Sequence, residues 1–326
     1  HCDTVSRLLA LRREGKPESL RENTGHLDLM RMRQGNYLLQ NFALFVDLGE
    51  GRDPWEEVCA LYDCYREELE KNADILAPVY HYADIAANER AGKLSAMLTV
   101  EEGAVCKGEP AKLEALYEMG VRMVTLTWNF PNELGYPNLG RELDGEARKH
   151  TPNLKDGLTE HGREFVEEME RLGIIPDVSH LSDAGFYDVL EVTKKPFVAS
   201  HSNARAVCPH VRNMTDDMIR RLAERGGVMG LNYYADFLEE VSAGRKNPGT
   251  IAAIVRHAKH IAEVGGIEVL GLGSDFDGID THAELPGAQS MEKLWEALKA
   301  SGFAESQLDR IFSGNVLRVY REALSL

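Results

Sequence analysis

Five points in this 326-residue chain set an imidazole or a carboxylate where a strand could end, four of them directly after a short apolar run, and together they could hold metal ions. His1 and Asp3 lie two residues apart, and on an extended strand such residues point to the same side, so both can meet one ion. Residues 98–100 run into Glu101 and Glu102, where a carboxylate could bridge two metals. Residues 175–179 end in His180, and residues 197–200 end in His201. Residues 269–274, with small residues that would keep a barrel mouth open, lead into Asp275, Phe276, Asp277 and Gly278. Each alone has an ordinary alternative: a chance H-x-D, a solvated loop acid, a hydrogen-bonded core histidine, an Asp-Gly turn. Their recurrence at one position in successive units is the signal. Imidazole and carboxylate ligands without thiolates suit zinc, manganese or another divalent first-row ion, and two ions sharing one carboxylate need about this many groups.

To converge, these residues must end strands that lie side by side. Short apolar runs at 41–47, 94–100, 121–127, 174–178, 197–200, 228–231 and 269–272 read as strands. Helical patterns at 54–72, 110–119, 159–172, 183–192, 215–224 and 251–264 separate them, several opened by Pro, Thr or Asp. The chain start can supply an eighth strand, with His1 and Asp3 at its carboxyl end and most of that strand lying before His1. Such alternation could form an open doubly wound sheet or a closed barrel. Chemistry gathered at strand carboxyl ends favours a (β/α)8 TIM barrel, and we expect residues 1–326 to form a single catalytic domain.

The charge balance, 37 Lys plus Arg against 53 Asp plus Glu for a net charge of -16, argues against nucleic acid or an anionic membrane surface as partner. Five cysteines without a CxxC pair suggest neither a disulfide framework nor a cysteine zinc site, so a reducing, cytoplasmic setting is expected. No apolar run approaches the roughly 20 residues needed to span a bilayer. The glycines at 271 and 273 lack the third glycine of a dinucleotide fingerprint, and residues 275–278 lack the later ligands of a calcium loop. His257 and His260 fall on an amphipathic helical pattern and read as solvated surface. His81, His150, His161, His210 and His282 have no strand-end context.

Together these residues resemble the membrane dipeptidase (renal dipeptidase) family of zinc peptidases, in a bacterial-type form. The matching stretches are residues 1–4, 100–103, 157–159 with Gly162, 177–180, 200–202, 212–213, 273–278 and 314–319, all in the family's order. The resemblance implies a barrel with a binuclear zinc centre, His1 and Asp3 on one ion, His180 and His201 on the other, and Glu101 bridging. Glu101 rather than Glu102 directly follows Val100, as in the family's V-E-G-G. Asp275 would lie beside the first ion as acid/base, and Arg212 would hold the substrate's terminal carboxylate, with a surface salt bridge as its ordinary alternative.

The implied reaction is hydrolysis of a free dipeptide by a hydroxide bridging the ions, since bound metal lowers the pKa of water from about 16 to about 7. Asp275 would take the proton and deliver it to the leaving amine. Bacterial-looking members often accept a D-residue at the carboxyl end. The pattern is broken after Thr127, where better-known members have a histidine that steadies the oxyanion and this chain has Trp128 and then Asn129. Asn129 could donate a hydrogen bond to substrate in its place, and Trp128 could equally be a packing residue at the rim. The loop at 130–156, rich in Gly, Pro and Asn, reads as a rim or lid, or as a structural excursion. The expected partner is a small dipeptide, with a homodimer left open. Two rival readings remain: another amidohydrolase-type metal hydrolase acting on amides or acylated amino acids, and a catalytically silent metal-binding protein.

Overall fold

The computed structural model describes residues 1–139, 147–241, 247–280 and 282–324. Its strands are β1 (Leu39–Phe45), β2 (Leu76–Pro78), β3 (Leu94–Glu101), β4 (Val121–Thr125), β5 (Ile175–Asp177), β6 (Val198–Ala199), β7 (Val228–Asn232) and β8 (Leu270–Ser274). Around them run α1 (Thr4–Arg13), α2 (Leu29–Gln34), α3 (Pro54–Lys71), α4 (Tyr82–Arg90), α5 (Pro110–Glu118), α6 (Ala147–His150), α7 (Glu160–Leu172) and α8 (Asp183–Val192). The series continues with α9 (Asp216–Glu224), α10 (Ala235–Leu238), α11 (Ile251–Gly265), α12 (Met291–Ala300), α13 (Glu305–Asp309) and α14 (Asn315–Ala323).

Strand β1 pairs with β3, and β3 to β8 then pair in chain order, every ladder parallel. The chain start closes the ring as a barrel. Cys2 bridges to Phe276 just beyond β8, Asp3 N donates to Phe276 O at 2.9 Å, and Ala43 N of β1 donates to Cys2 O at 3.0 Å. Within the described residues the expected eighth strand is represented by the Cys2 bridge, and α1 begins at Thr4. Strand β2 was not expected from the sequence. It pairs with the first residues of β3, Leu94–Ala96, ahead of Leu98, where β4 joins.

Strands β3, β4, β5 and β7 are buried along their whole length, as a parallel sheet covered by helices requires. The connections that leave the strands' carboxyl ends finish in residues that fix where the next helix begins. The side chains of Asp53, Thr159, Ser182, Thr215 and Thr250 each accept a backbone N–H of the first turn. The opposite end is apolar. Met97, Met123, Ile175, Val198 and Val228 meet Val319, Tyr320 and Ala323 of α14, so that helix plugs the barrel's amino end. Beside the plug lies a cavity of about 960 Å³ whose lining includes Trp295, Phe312, Leu39, Leu272, Val228 and His1.

Two local expectations are corrected. His257 on α11 is buried, not solvated: its Nδ1 accepts from Ala204 N at 3.0 Å and its Nε2 lies 2.9 Å from Leu238 O. Periodicity identifies the helix face but not the loop that covers it. Gly273 does not keep the mouth open; it lets the strands close, because a Cβ there would lie 2.4 Å from Ser200 O and 2.7 Å from Gly230 O.

Candidate metal centre

Sheet register brings the chemistry into one row. Phe45 pairs with Glu101, Glu101 with Thr125, and Thr125 with Asp177, so the ends of β1, β3, β4 and β5 lie level. His180, His201 and Asp275 follow β5, β6 and β8 within a few residues. Several of these residues, or their neighbours, hold backbone conformations that side chains rarely adopt: Glu102 (φ 101°), His180 (φ 71°), Ser274 (φ 39°) and Asp275 (φ 73°). Each such residue costs about 1–3 kcal/mol, and such strain clusters where a side chain must be aimed.

The structure brings all six expected ligands together in the barrel mouth. His1 Nε2 lies 3.3 Å from Glu101 Oε2, 3.4 Å from Asp3 Oδ2 and 3.7 Å from Asp275 Oδ1. The other oxygen of the same carboxylate, Glu101 Oε1, lies 3.2 Å from His180 Nε2 and 3.4 Å from His201 Nε2. Two trios have ligand atoms mutually within 4.8 Å: His1, Glu101 and His201, and His1, Asp3 and Asp275. Gly278 makes room for them, since a Cβ there would lie 2.0 Å from Asp3 Oδ2.

The surrounding hydrogen bonds fix which ring nitrogens carry protons. Ser200 Oγ donates to Asp177 Oδ2 at 2.5 Å, so it can accept only from His201 Nδ1, 2.7 Å away. Asp177 is itself anchored by Thr125 Oγ1 at 2.7 Å and by the backbone N–H groups of Ser179 and Ser200. His180 Nδ1 lies 3.0 Å from the amide oxygen of Asn129, which can only accept. Both Nε2 atoms therefore present lone pairs, 3.0 Å apart, and both face Glu101 Oε1. Three acceptors with no proton among them repel unless a cation sits between them. Glu101 Oε1, His1 Nε2 and Asp3 Oδ1 are buried without any hydrogen-bond partner, which is costly for polar atoms. The donor set fits divalent zinc or a similar ion, with the outer ring of partners that metal-bound histidines use.

The electrostatics agree. Burial pushes Asp3 up to about 7, and burial holds His180 down to about 4 and His201 well below its usual value, both therefore neutral. For His1, burial works downward, but Glu101 and Asp3 together raise it well above the ordinary histidine value. Three buried carboxylates thus crowd one imidazole. A proton on that ring partly offsets a charge that a metal cation would offset fully.

Arg212, from the connection between β6 and α9, is buried beside this cluster. Its Nη2 donates to His201 O at 3.3 Å, its guanidinium stands 5.4 Å from the Phe237 ring, and its Nε is buried without a partner. Burial lowers it to about 10, a mark of a cation with too few acceptors. The surface salt-bridge alternative does not hold. Asn129 turns its amide oxygen to His180 Nδ1, which leaves its Nδ2 as the group that could donate to a ligand, and Trp128 packs its ring on Phe45, Phe130 and His180 at 4.9, 6.1 and 6.0 Å.

Three supporting residues escaped the sequence reading. Asp177 with Ser200 orients His201, and Asn232, at the end of β7, donates from Nδ2 to Asp275 Oδ2 at 2.9 Å. Asn232 follows the strand expected at 228–231, and that strand-end position was its signal. Asp277, although acidic, accepts from Thr4 Oγ1 and His26 N and anchors the chain start. Of the loop at 130–156, residues 140–146 lie outside the described residues, and Gly135 and Pro137 bridge to Leu158 and Leu181.

The profile of the membrane dipeptidase family (peptidase family M19) matches residues 1–326. A dipeptidase of Schizosaccharomyces pombe, itself uncharacterized, is 33% identical over 315 residues, covering 92% of this chain and 72% of that protein. The crystal structure of a metallopeptidase named dipeptidase AC superimposes with a TM-score of 0.87 at 26% identity, covering 100% of this chain and 98% of the other. A metallopeptidase from Rhodobacter sphaeroides, crystallised with a phosphinate mimic of the dipeptide L-Ala-D-Ala, has a TM-score of 0.86 at 26% identity, covering 99% and 97%.

Proposed function

The chain belongs to the membrane dipeptidase family of metal-dependent peptide-bond hydrolases, and we propose that it cleaves free dipeptides at a pair of zinc ions in the barrel mouth. The observation that carries this reading is the division of Glu101. One carboxylate oxygen faces His1 Nε2 at 3.3 Å, on the side of Asp3 and Asp275, and the other faces His180 and His201. His1 and Asp3 would hold one ion, His180 and His201 the other, with Glu101 between them and Asp275 beside the first. When bound, the ions supply Lewis acidity that polarises the peptide carbonyl and lowers the pKa of water towards neutrality.

The remaining work falls to the chain's own side chains. Asp275, with Oδ2 held by Asn232, keeps Oδ1 on the side of His1 to accept a proton from the nucleophile and return it to the leaving amine. Arg212 offers a guanidinium short of acceptors, and a bidentate pair with a terminal carboxylate would select short substrates with a free carboxyl end. Asn129 orients His180 through its amide oxygen, and its Nδ2 is left to donate to substrate. A D-residue at the carboxyl-terminal position is the first stereochemistry to test, supported by the L-Ala-D-Ala mimic bound to the Rhodobacter sphaeroides relative.

The test is hydrolysis of a panel of L,L and L,D dipeptides, before and after chelation, beside N-acylated amino acids. Chelator-sensitive cleavage of free dipeptides is the expected result. Cleavage confined to acylated amino acids would replace the reading with another amide hydrolase, and no turnover with metal restored would leave a silent metal-binding protein.

A further inference from the structure

Glu102, next to the bridging carboxylate, is a fully buried acid that faces no basic side chain in its hydrogen bonds. It occupies the left-handed region at φ 101°, ψ 100°, where a glycine would be unstrained and a glutamate is not. Its carboxylate instead gathers the start of the segment that follows β4. Oε2 accepts from Trp128 N at 3.0 Å, and Oε1 accepts from Ala104 N at 2.9 Å and from Asn132 Nδ2. Asn132 in turn donates to Leu126 O at 2.8 Å, so both ends of residues 126–132 are fastened to one carboxylate. Between those fastenings lie Trp128, whose ring stands 6.0 Å from that of His180, and Asn129, whose amide oxygen takes the His180 Nδ1 proton at 3.0 Å.

We infer that Glu102 is a positioning residue for the His180 end of the centre: it clamps residues 126–132 so that Asn129 orients His180 and Trp128 walls that ion's side of the substrate site. The inference rests on the two-ion reading above. Strain that a glycine would relieve is retained because the carboxylate does something a glycine cannot. Two of its three donors, Trp128 N and Asn132 Nδ2, come from the segment after β4, whereas the third, Ala104 N, belongs to the turn that Glu102 itself opens.

The experiment compares zinc affinity, by titration against a competing chelator, with melting temperature in the wild type, Glu102→Gly, Asn129→Leu, Asn129→Asp and the Glu102→Gly/Asn129→Leu double variant. Glu102→Gly relieves the backbone strain but leaves Trp128 N, Ala104 N and Asn132 Nδ2 without their acceptor, so some loss of melting temperature is expected and zinc affinity in the folded protein is the deciding readout. The variant's weaker zinc step should lose about 10–100-fold in affinity, the range for loss of a ligand's outer partner. Asn129→Leu should show the same loss, Asn129→Asp should restore binding by keeping the acceptor, and the double variant should be no worse than the worse single one. Wild-type affinity for both ions in Glu102→Gly would overturn the inference while leaving the dipeptidase reading intact. Additive losses in the double variant would also overturn it, because the two residues would then act separately. A wild-type protein that binds no zinc would remove the two-ion reading and this inference with it.

Discussion

The two ends of the barrel are built from the same strands to opposite standards. At the amino end, Met97, Met123, Ile175, Val198 and Val228 pack against α14, and the buried Tyr320 hydroxyl donates to Asn41 Oδ1 at 2.8 Å. At the carboxyl end, polar atoms of His1, Asp3, Glu101 and Arg212 are buried without partners, and Glu102, His180, Ser274 and Asp275 sit in strained backbone. The contrast separates what the chain does for stability from what it does for chemistry. Groups left costly at one end are tolerated because the other end, with the helices around it, supplies the packing.

The contrast breaks most sharply at Asp275. Asp275→Asn should keep the fold and the metals while losing about 10²–10⁴-fold in kcat, the span of general acid/base catalysis, as steady-state kinetics on metal-assayed protein would reveal. Turnover that survives would remove the proton-shuttling role. The mirror experiment is Met123→Ala at the plug, expected to lower unfolding stability by about 2–5 kcal/mol with kcat and KM unchanged in the folded protein. A change in kcat there would mean that the two ends are not independent. Smaller still is Arg212→Ala, which should raise KM for free dipeptides about 10-fold or somewhat more, within the range of a charged hydrogen bond, with a minor change in kcat. An unchanged KM would assign Arg212 to packing.

Much of the candidate centre could be read from the chain because four of its six residues end or closely follow a strand of their own: Glu101 after residues 98–100, His180 after 175–179, His201 after 197–200 and Asp275 after 269–274. A strand end is a local signal, and the barrel turns local signals into one ring. The supports depend on register across strands, which no single stretch records. Asp177 reaches Ser200 only because it pairs with Val198 of β6, and Glu102 reaches Trp128 because the end of β3 lies beside the end of β4. For the same reason Trp128 looked like an isolated departure from the family pattern, although its backbone is held by Glu102, the residue standing where the V-E-G-G pattern has glycine. His257 was misread because its partners, Ala204 and Leu238, come from two separate connections.

The most direct measurement is the zinc content of the purified, zinc-loaded and dialysed protein, beside Glu101→Gln, by elemental analysis. The proposed two-ion centre predicts near two zinc ions per chain in the wild type and a clear loss in the variant that spoils the Glu101 carboxylate. A wild type that retains no zinc under replete conditions, or a variant that retains both ions as tightly, would contradict it.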